Sequence, residues 1–250
     1  MADSDLSSSI CEEARLSSFV LVHTAAHGAW CWKKVVPLLA REGHKVIAPD
    51  LPAHGQDRTP IANVTLKAYT DRICQVLDDQ TESVILVGHS MSGIVITQAA
   101  EYRTGKIAKL VYLTAIIPPN GKSMLETTEG IRNPNNRTVS DDKSWFTYKD
   151  ELVRDLFYGD CSAEDVSFAR SMLVPQAIRP LEEPVRVSEE RYGRIPRVYI
   201  ECLQDRILVP DFQKKLYTAI PCETVISMNT SHSPFFSAPE VLAKHLLSLV

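Results

Sequence analysis

The chain has 250 residues, and its 27 lysines and arginines against 31 aspartates and glutamates give a net charge of −4. This length suits one domain with a large buried core, or one domain that carries an insertion. The sequence has no basic cluster and no apolar run long enough to span a bilayer, which argues against nucleic acid or a membrane as partner.

The first eighteen residues are polar and acidic and contain six serines. They lack a basic start and an apolar stretch, so we interpret residues 1–18 as a flexible tail and not as a secretory leader. The six cysteines show no metal-ligand or redox spacing; they are Cys11, Cys31, Cys74, Cys161, Cys202 and Cys222. Scattered cysteines of this kind are typical of reduced thiols, so we expect a cytoplasmic protein.

Apolar stretches and turn-forming loops alternate along the chain. Strands are predicted at 18–23, 45–49, 84–87, 109–114, 197–202 and 223–228. Between and after these strands, apolar residues recur at helical spacing, which predicts helices at 35–39, 66–77, 94–100, 210–219 and 239–249. Such alternation predicts a mostly parallel sheet flanked by helices, with ligands bound beyond the carboxyl ends of the strands.

Residues 118–195 interrupt this alternation, because they are more polar and carry several prolines and aromatic residues. We predict that they form a helical cap over the sheet, inserted between a core made of residues 19–117 and 196–250. A cap in this position would exclude water and supply an apolar pocket, for which Trp145 is a candidate lining residue. Ordinary helical packing would also account for many of these aromatic residues.

Residues 84–93 (VILVGHSMSG) combine a short apolar strand, a tight turn and the start of a helix. The segment departs from the pattern G-x-S-x-G only at Ser92, and it predicts a nucleophile elbow in which Ser90 stands above the sheet. The backbone N–H of Met91, at the start of the helix, would then face a developing oxyanion. Small residues after the first strand allow the N–H of Ala25 to serve as the second donor.

Two further residues follow predicted strands in the order that such an elbow requires. Asp205 comes after the strand at 197–202, and His232 comes after the strand at 223–228. The order nucleophile, acid, base predicts a catalytic triad of Ser90, Asp205 and His232. Asp211 is a rival acid, but its place in the first turn of a helix is explained by the helix dipole. His23 and His27 lack a third ligand at metal spacing, so we expect no metal and treat His23 as a candidate pocket residue.

From residue 19 to the last residue, the chain resembles the plant-type methylesterase and hydroxynitrile lyase group of α/β-hydrolases, which also has bacterial esterase members. The motifs that carry the resemblance are HTAAHGAW at 23–30, GHKV at 43–46, GHSMSG at 88–93, VYLTA at 111–115 and VYI at 198–200. The resemblance implies an α/β-hydrolase fold and an enzyme without a cofactor that acts on small esters. We place the cap after the sixth strand of that fold.

Two branches of this group differ beside the nucleophile and the base. The lyases typically carry an acid before the nucleophile and a lysine after the catalytic histidine, whereas this chain has His89 and Ser233. Thr24 matches the lyases, and it narrows the space near Ser90. The resemblance therefore favours an esterase, with Thr24 and Ser233 as candidate pocket residues.

Three hypotheses follow from the sequence. The first is a serine esterase that cleaves small carboxylic esters through an acyl-enzyme. The second is a hydroxynitrile lyase, or other chemistry on the same triad. The third is a small-molecule receptor built on a hydrolase fold, which turnover would distinguish from an enzyme. A small ester is the expected partner, and self-association into a homodimer stays an open alternative.

Overall fold

The structure, a computed structural model, describes residues 17–250. Its centre is a six-stranded sheet in the order β2-β1-β3-β4-β8-β9, and every pairing in it is parallel. The strands are β1 (Ser18–Val22), β2 (Lys45–Ile47), β3 (Val84–His89), β4 (Ile107–Leu113), β8 (Arg197–Cys202) and β9 (Thr224–Met228). The predicted parallel sheet flanked by helices is therefore confirmed.

Helices cover both faces of the sheet, which is why its central strands are largely apolar. The core helices are α1 (Val35–Arg41), α2 (Leu66–Asp78), α3 (Ser92–Tyr102), α8 (Pro210–Ala219), α9 (Pro234–Ser237) and α10 (Pro239–Leu247). Residues of α2 and α3 pack with Val20 and Val22 of β1 on one face. Residues of α1 and α10 pack with Phe19 and Leu21 on the other face.

The segment between β4 and β8, residues 114–196, is termed the insertion below. It contains four helices and a separate antiparallel sheet in the order β5-β6-β7. The helices are α4 (Met124–Thr127), α5 (Asp150–Phe157), α6 (Ala163–Met172) and α7 (Arg179–Glu182), and the strands are β5 (Arg137–Val139), β6 (Trp145–Tyr148) and β7 (Gln176–Ala177). The predicted cap does contain helices, and it also contains three strands of two to four residues, which are too short to show a period of two in the sequence.

One count and one boundary differ from the prediction. The insertion follows β4, the strand predicted at 109–114, but β4 is the fourth strand that residues 17–250 form and not the sixth. Ser18, which the prediction gave both to the tail and to the first strand, is the first residue of β1 and pairs with Lys45 and Val84. The rest of the predicted tail, residues 1–16, lies outside the described residues.

Candidate active site

Ser90 occupies a strained turn between β3 and α3. Its φ is +54°, a left-handed conformation that costs a serine on the order of 1–2 kcal/mol. Three backbone hydrogen bonds hold it there: its N–H donates to Leu113 (3.2 Å), and its carbonyl accepts from Gly93 (3.2 Å) and Ile116 (3.0 Å). Ser90 is 6 % exposed and lines a cavity of about 320 Å³ beneath the insertion. The elbow predicted from the sequence is present.

The turn also explains the small residues around Ser90. A Cβ on Gly93 would lie 2.0 Å from the carbonyl oxygen of Ile116, so the backbone of the insertion approaches α3 too closely for any side chain. Ser92 is buried, and its hydroxyl Oγ lies 2.9 Å from each of the carbonyl oxygens of Val22 and His89. Ser92 therefore ties the turn to the end of β1.

Asp205 and His232 meet at the carboxyl ends of β8 and β9. His232 Nδ1 donates to Asp205 Oδ2 at 2.6 Å, and both side chains are buried. The other oxygen, Oδ1, accepts from the backbone N–H groups of Ile207 (2.7 Å) and Leu208 (3.0 Å). These contacts fix the carboxylate and select the His232 tautomer that has its proton on Nδ1.

His232 Nε2 is the atom that this arrangement leaves available. It is buried and has no hydrogen-bond partner among residues 17–250. A neutral imidazole whose Nδ1 carries the proton presents Nε2 as an acceptor. The pair can therefore take a proton from a hydroxyl and pass it on, with Asp205 stabilising the resulting imidazolium.

Thr114 completes this pair and was not predicted from the sequence. Its hydroxyl donates to Asp205 Oδ2 at 2.5 Å, and its own backbone N–H donates to Ile200 at 2.7 Å. Thr114 is the first residue after β4, so it meets Asp205 only once β4 and β8 are neighbours in the sheet. The one available signal was its position as the last residue of the strand predicted at 109–114.

The loop after β1 brings Ala25 to the cavity, which it lines together with Met91. The carbonyl of Thr24 accepts from His23 Nδ1 (2.9 Å) and from the N–H of His27 (3.3 Å). A peptide group is planar, so these two bonds orient the N–H of Ala25, which shares that peptide and points the opposite way. The Met91 N–H lies 3.4 Å from the Thr24 hydroxyl oxygen.

His23 does not line the cavity, contrary to the prediction. It is fully buried; its Nε2 accepts from the N–H of Leu51 at 3.0 Å while its Nδ1 donates to Thr24. Burial, together with the nearby His54, holds the pKa of His23 well below its ordinary value. His23 is therefore a neutral side chain that supports the loop from behind.

Trp145 and Ser233, which were also predicted to line the pocket, are not among the residues that line the Ser90 cavity. Trp145 lies in a different surface depression, together with Ala53 and Ile61. Side chains alternate between the two faces of a strand, so Trp145 and Tyr148 of β6 point to opposite faces. Tyr148 is the β6 residue that lines the Ser90 cavity. Ser233 is buried, and its hydroxyl has no partner among the described residues. Thr24 is fully buried as well, although its hydroxyl contacts Met91 as described above.

His89, the residue before Ser90, points into the core. Its Nε2 donates to the backbone carbonyl of His232 at 2.8 Å, and its ring lies against Phe235 and Trp32. Burial, reinforced by the neighbouring His232, lowers the pKa of His89 well below its ordinary value. His89 therefore supplies no positive charge to the cavity.

The insertion contributes the outer wall of the cavity. Its lining side chains include Met124, Thr128, Ile131, Tyr148 and Leu156. Within residues 17–250, no group of three or more histidines, cysteines or acidic residues lies close enough to hold a metal ion. No helix in this part of the chain is both long and apolar enough to cross a membrane.

The profile described as "Alpha/beta hydrolase family" matches residues 19–245. The chain belongs to this family. It is 35 % identical to methylesterase 2 of Arabidopsis thaliana, over 95 % of this chain and 97 % of that protein, and 32 % identical to methylesterase 1 over the same shares. These relatives place the chain in the methylesterase group that its motifs resembled.

Solved structures agree with the sequence relatives. Polyneuridine aldehyde esterase superposes with a TM-score of 0.86 at 27 % identity, covering 94 % of this chain and 99 % of that chain. A pyrethroid hydrolase from Sphingobium faniae JZ-2 superposes with a TM-score of 0.85 at 28 % identity, covering 94 % and 97 %. The proteins similar to this α/β-hydrolase thus include methylesterases, polyneuridine aldehyde esterase and a pyrethroid hydrolase.

Proposed function

We propose that the chain is a serine esterase that hydrolyses small carboxylic esters through an acyl-enzyme intermediate. The observation that carries the proposal is the buried pair of Asp205 and His232, whose Nε2 is unpartnered at the edge of the sheet where Ser90 enters the cavity. The methylesterase relatives support ester hydrolysis as the reaction.

In the proposed reaction, Ser90 Oγ attacks the ester carbonyl while His232 Nε2 takes the serine proton. The N–H groups of Ala25 and Met91 stabilise the tetrahedral oxyanion. His232 then protonates the leaving alkoxide, and the acyl group stays on Ser90. Water next gives a proton to His232 as its oxygen attacks the acyl-enzyme, and this second step releases the acid and restores Ser90.

The Thr24 hydroxyl must yield its contact with the Met91 N–H when an oxyanion binds. At 3.4 Å this hydrogen bond is long, so substrate can displace it at small cost. Thr24 therefore occupies part of the oxyanion site in the free enzyme and also limits the size of the group that fits beside Ser90.

The test is the Ser90→Ala variant assayed with p-nitrophenyl acetate and a methyl ester. Turnover should fall to nearly the buffer rate while the circular dichroism spectrum and melting temperature stay close to wild type. A fluorophosphonate should add one covalent adduct to the wild-type protein and none to Ser90→Ala. Ser171→Ala, on the exposed side of α6, is the matched control and should keep both activity and labelling. Equal activity in Ser90→Ala and wild type would refute the proposal.

Lyase chemistry is the alternative that shares the same residues. At the two positions where the lyases typically carry a charged side chain, this chain has a buried, uncharged Ser233 and a His89 that is neutral in the core. We therefore expect cyanide release from mandelonitrile to be negligible beside ester hydrolysis. Cyanide release comparable to ester turnover, and lost in Ser90→Ala, would favour the lyase.

The remaining expectations belong to the same proposal. Hydrolysis should need no added metal and should survive EDTA, because the proposed steps use side chains and backbone alone. A receptor would bind an ester with turnover close to zero, so steady-state kinetics separates it from an enzyme. We propose a cytoplasmic protein from the scattered, unpaired cysteines, although some relatives carry the description chloroplastic. Sedimentation would show whether it forms a homodimer.

A further inference from the structure

The cavity above Ser90 carries an unusual charge. Among residues 17–250, three arginines line it: Arg132 and Arg137 from the insertion, and Arg206 from the loop beside Asp205. No aspartate or glutamate of this part of the chain is among the lining residues, although the chain as a whole is acidic. An arginine is charged at any physiological pH, so the cavity is positively charged although the protein as a whole has a negative net charge.

None of these three guanidinium groups forms an ion pair within residues 17–250. Asp205, the nearest acid in sequence to Arg206, already accepts four hydrogen bonds from other groups. Several arginines elsewhere in the structure do have carboxylate partners, such as Arg103 with Asp78. The charge in the cavity is therefore left for a ligand.

Arg137 is held in place without an acidic partner. Its guanidinium carbon lies 4.4 Å from the centre of the Phe146 ring and 5.7 Å from that of Tyr148, its cross-strand neighbour in the β5–β6 pair. An aromatic ring contacts the face of a guanidinium group, so the N–H groups along its edge stay available for hydrogen bonds. Arg137 is thus a half-buried, pre-oriented donor.

A second cavity of about 360 Å³ adjoins the first and shares Arg132, Asn133 and Arg137 with it. The rest of this second cavity is largely apolar and includes Leu125, Val139 and Phe146. The two arginines of the insertion therefore stand between the serine and an apolar chamber. A substrate that places its ester at Ser90 would bring its far end to these arginines.

We propose that the substrates of this enzyme carry a carboxylate in addition to the ester, as the monoesters of dicarboxylic acids do. This inference rests on the proposed esterase function. Arg132 and Arg137 would bind the free carboxylate by charge-assisted hydrogen bonds while Ser90 attacks the ester at the other end. A neutral ester of the same length would make no such bonds, so charge would select the substrate.

The experiment compares monomethyl adipate with methyl heptanoate, which replaces the carboxylate by an ethyl end of similar length. The wild-type enzyme should show a kcat/KM at least about tenfold higher for monomethyl adipate. Arg132→Gln and Arg137→Gln should each lower this ratio several-fold, and the double variant should bring it close to one. Added salt should reduce the wild-type preference, because salt screens charges near the surface.

Arg154→Gln is the matched control, since Arg154 is exposed on α5, outside the cavity, and its replacement removes the same charge. It should retain the wild-type ratio. A wild-type ratio near one, or an equal fall of the ratio in Arg154→Gln, would overturn the inference while leaving the esterase proposal intact.

A binding measurement separates failure of this inference from failure of the proposed function. Titration calorimetry on Ser90→Ala should show monomethyl adipate binding at least about tenfold more tightly than methyl heptanoate, and this difference should vanish when Arg132→Gln and Arg137→Gln are added. If neither ester is hydrolysed but this charge-dependent binding is found, the esterase proposal fails and the anion site stands. Equal binding of the two esters to Ser90→Ala would refute the anion site.

Discussion

At the scale of single residues, hydrogen bonds to three residues, His89, Gln204 and Asp160, hold the loop that carries His232. His89 Nε2 donates to the His232 carbonyl at 2.8 Å, and the N–H of Gln204 donates to Thr230 at 2.9 Å. Asp160, from the insertion, accepts from both the N–H and the hydroxyl of Ser231. The position of the imidazole is therefore set by the sheet, a neighbouring loop and the insertion together.

Asp205→Asn tests the identity of the acid. Since Ile207 and Leu208 offer N–H groups to Oδ1, the amide oxygen of asparagine will take that side and its NH₂ will face His232 Nδ1. An NH₂ there favours the tautomer with its proton on Nε2, which cannot accept from Ser90. We expect kcat to fall by ~10⁴, the loss known for the equivalent change in a serine protease.

Asp211→Asn is the control for that change, because Asp211 is exposed in the first turn of α8. Esterase kinetics should be close to wild type. The opposite pattern, with Asp211→Asn inactive and Asp205→Asn active, would show that the acid is assigned to the wrong residue.

Thr114 offers a test of positioning. Thr114→Val removes one of two donors to Asp205 Oδ2 and keeps the shape of the side chain. A hydrogen bond to a charged group contributes about 1.5–3 kcal/mol, so kcat should fall roughly tenfold or more with little change in KM. Thr114→Ser restores the hydroxyl and should recover most of the rate. Equal losses in the valine and serine variants would indicate a packing role instead.

At the scale of secondary structure, the side-chain alternation of β6 decides which aromatic residue meets substrate. Phe146 and Tyr148 share the inner face, while Trp145 faces the outer depression. Tyr148→Ala should therefore raise KM for esters several-fold, and Trp145→Ala should leave KM near the wild-type value. Michaelis–Menten measurements on both variants check this, and a larger effect from Trp145→Ala would mean that the register of β6 differs in solution.

The start of α3 depends on Gly93. Alanine there would place its Cβ 2.0 Å from the Ile116 carbonyl oxygen, and Ile116 is also the residue whose N–H holds the Ser90 carbonyl. We expect Gly93→Ala to lower the free energy of unfolding by about 1–3 kcal/mol or more and to reduce activity as well. Gly105→Ala, with no atom within 4 Å of the added Cβ, should change the urea midpoint little. Equal stability of the two variants would contradict the crowding seen at Gly93.

Sequence reasoning succeeded where the signal is local. The strand, turn and helix around Ser90 lie within a dozen residues, and the long helices α2 and α8 show clear apolar spacing. It failed where the deciding contacts are remote along the chain: Thr114 meets Asp205 across 91 positions, and Gln176 accepts from the N–H of Ala26 across 150. Contacts between such distant residues do not affect the spacing of apolar residues along the chain, so the sequence pattern does not reveal them. The short strands of the insertion likewise show no recognisable pattern.

At the scale of the whole molecule, buried histidines link folding to pH. Burial lowers the pKa of His27 to about 3 and holds the pKa values of His23 and His89 well below the ordinary 6.5. Between pH 6.5 and the lowered value, the unfolded chain binds protons that the folded chain does not. The folded state therefore loses stability as the pH falls through this range.

The corresponding prediction concerns denaturation between pH 7 and pH 5. Each of these histidines should lower the free energy of unfolding by roughly 1 kcal/mol per pH unit below pH 6.5. Urea melts at half-unit intervals should show the midpoint falling steadily with pH, and steeply below pH 6. A midpoint that is constant from pH 7 to pH 5 would mean that these histidines are already protonated in the folded protein.

The place of the insertion has a consequence for how this enzyme can diverge. β4 and β8 are adjacent and parallel, and Leu113 pairs with Ile200, so the chain leaves the sheet and returns to it at fixed points. Ser90, Asp205 and His232 all lie outside the insertion. A foreign lid could be grafted between these two strands without disturbing the register of the sheet, provided that the graft preserved Thr114 and an acceptor equivalent to Asp160. Recombination at this junction would replace the residues of the insertion that contact substrate in one step, and the catalytic residues would stay unchanged.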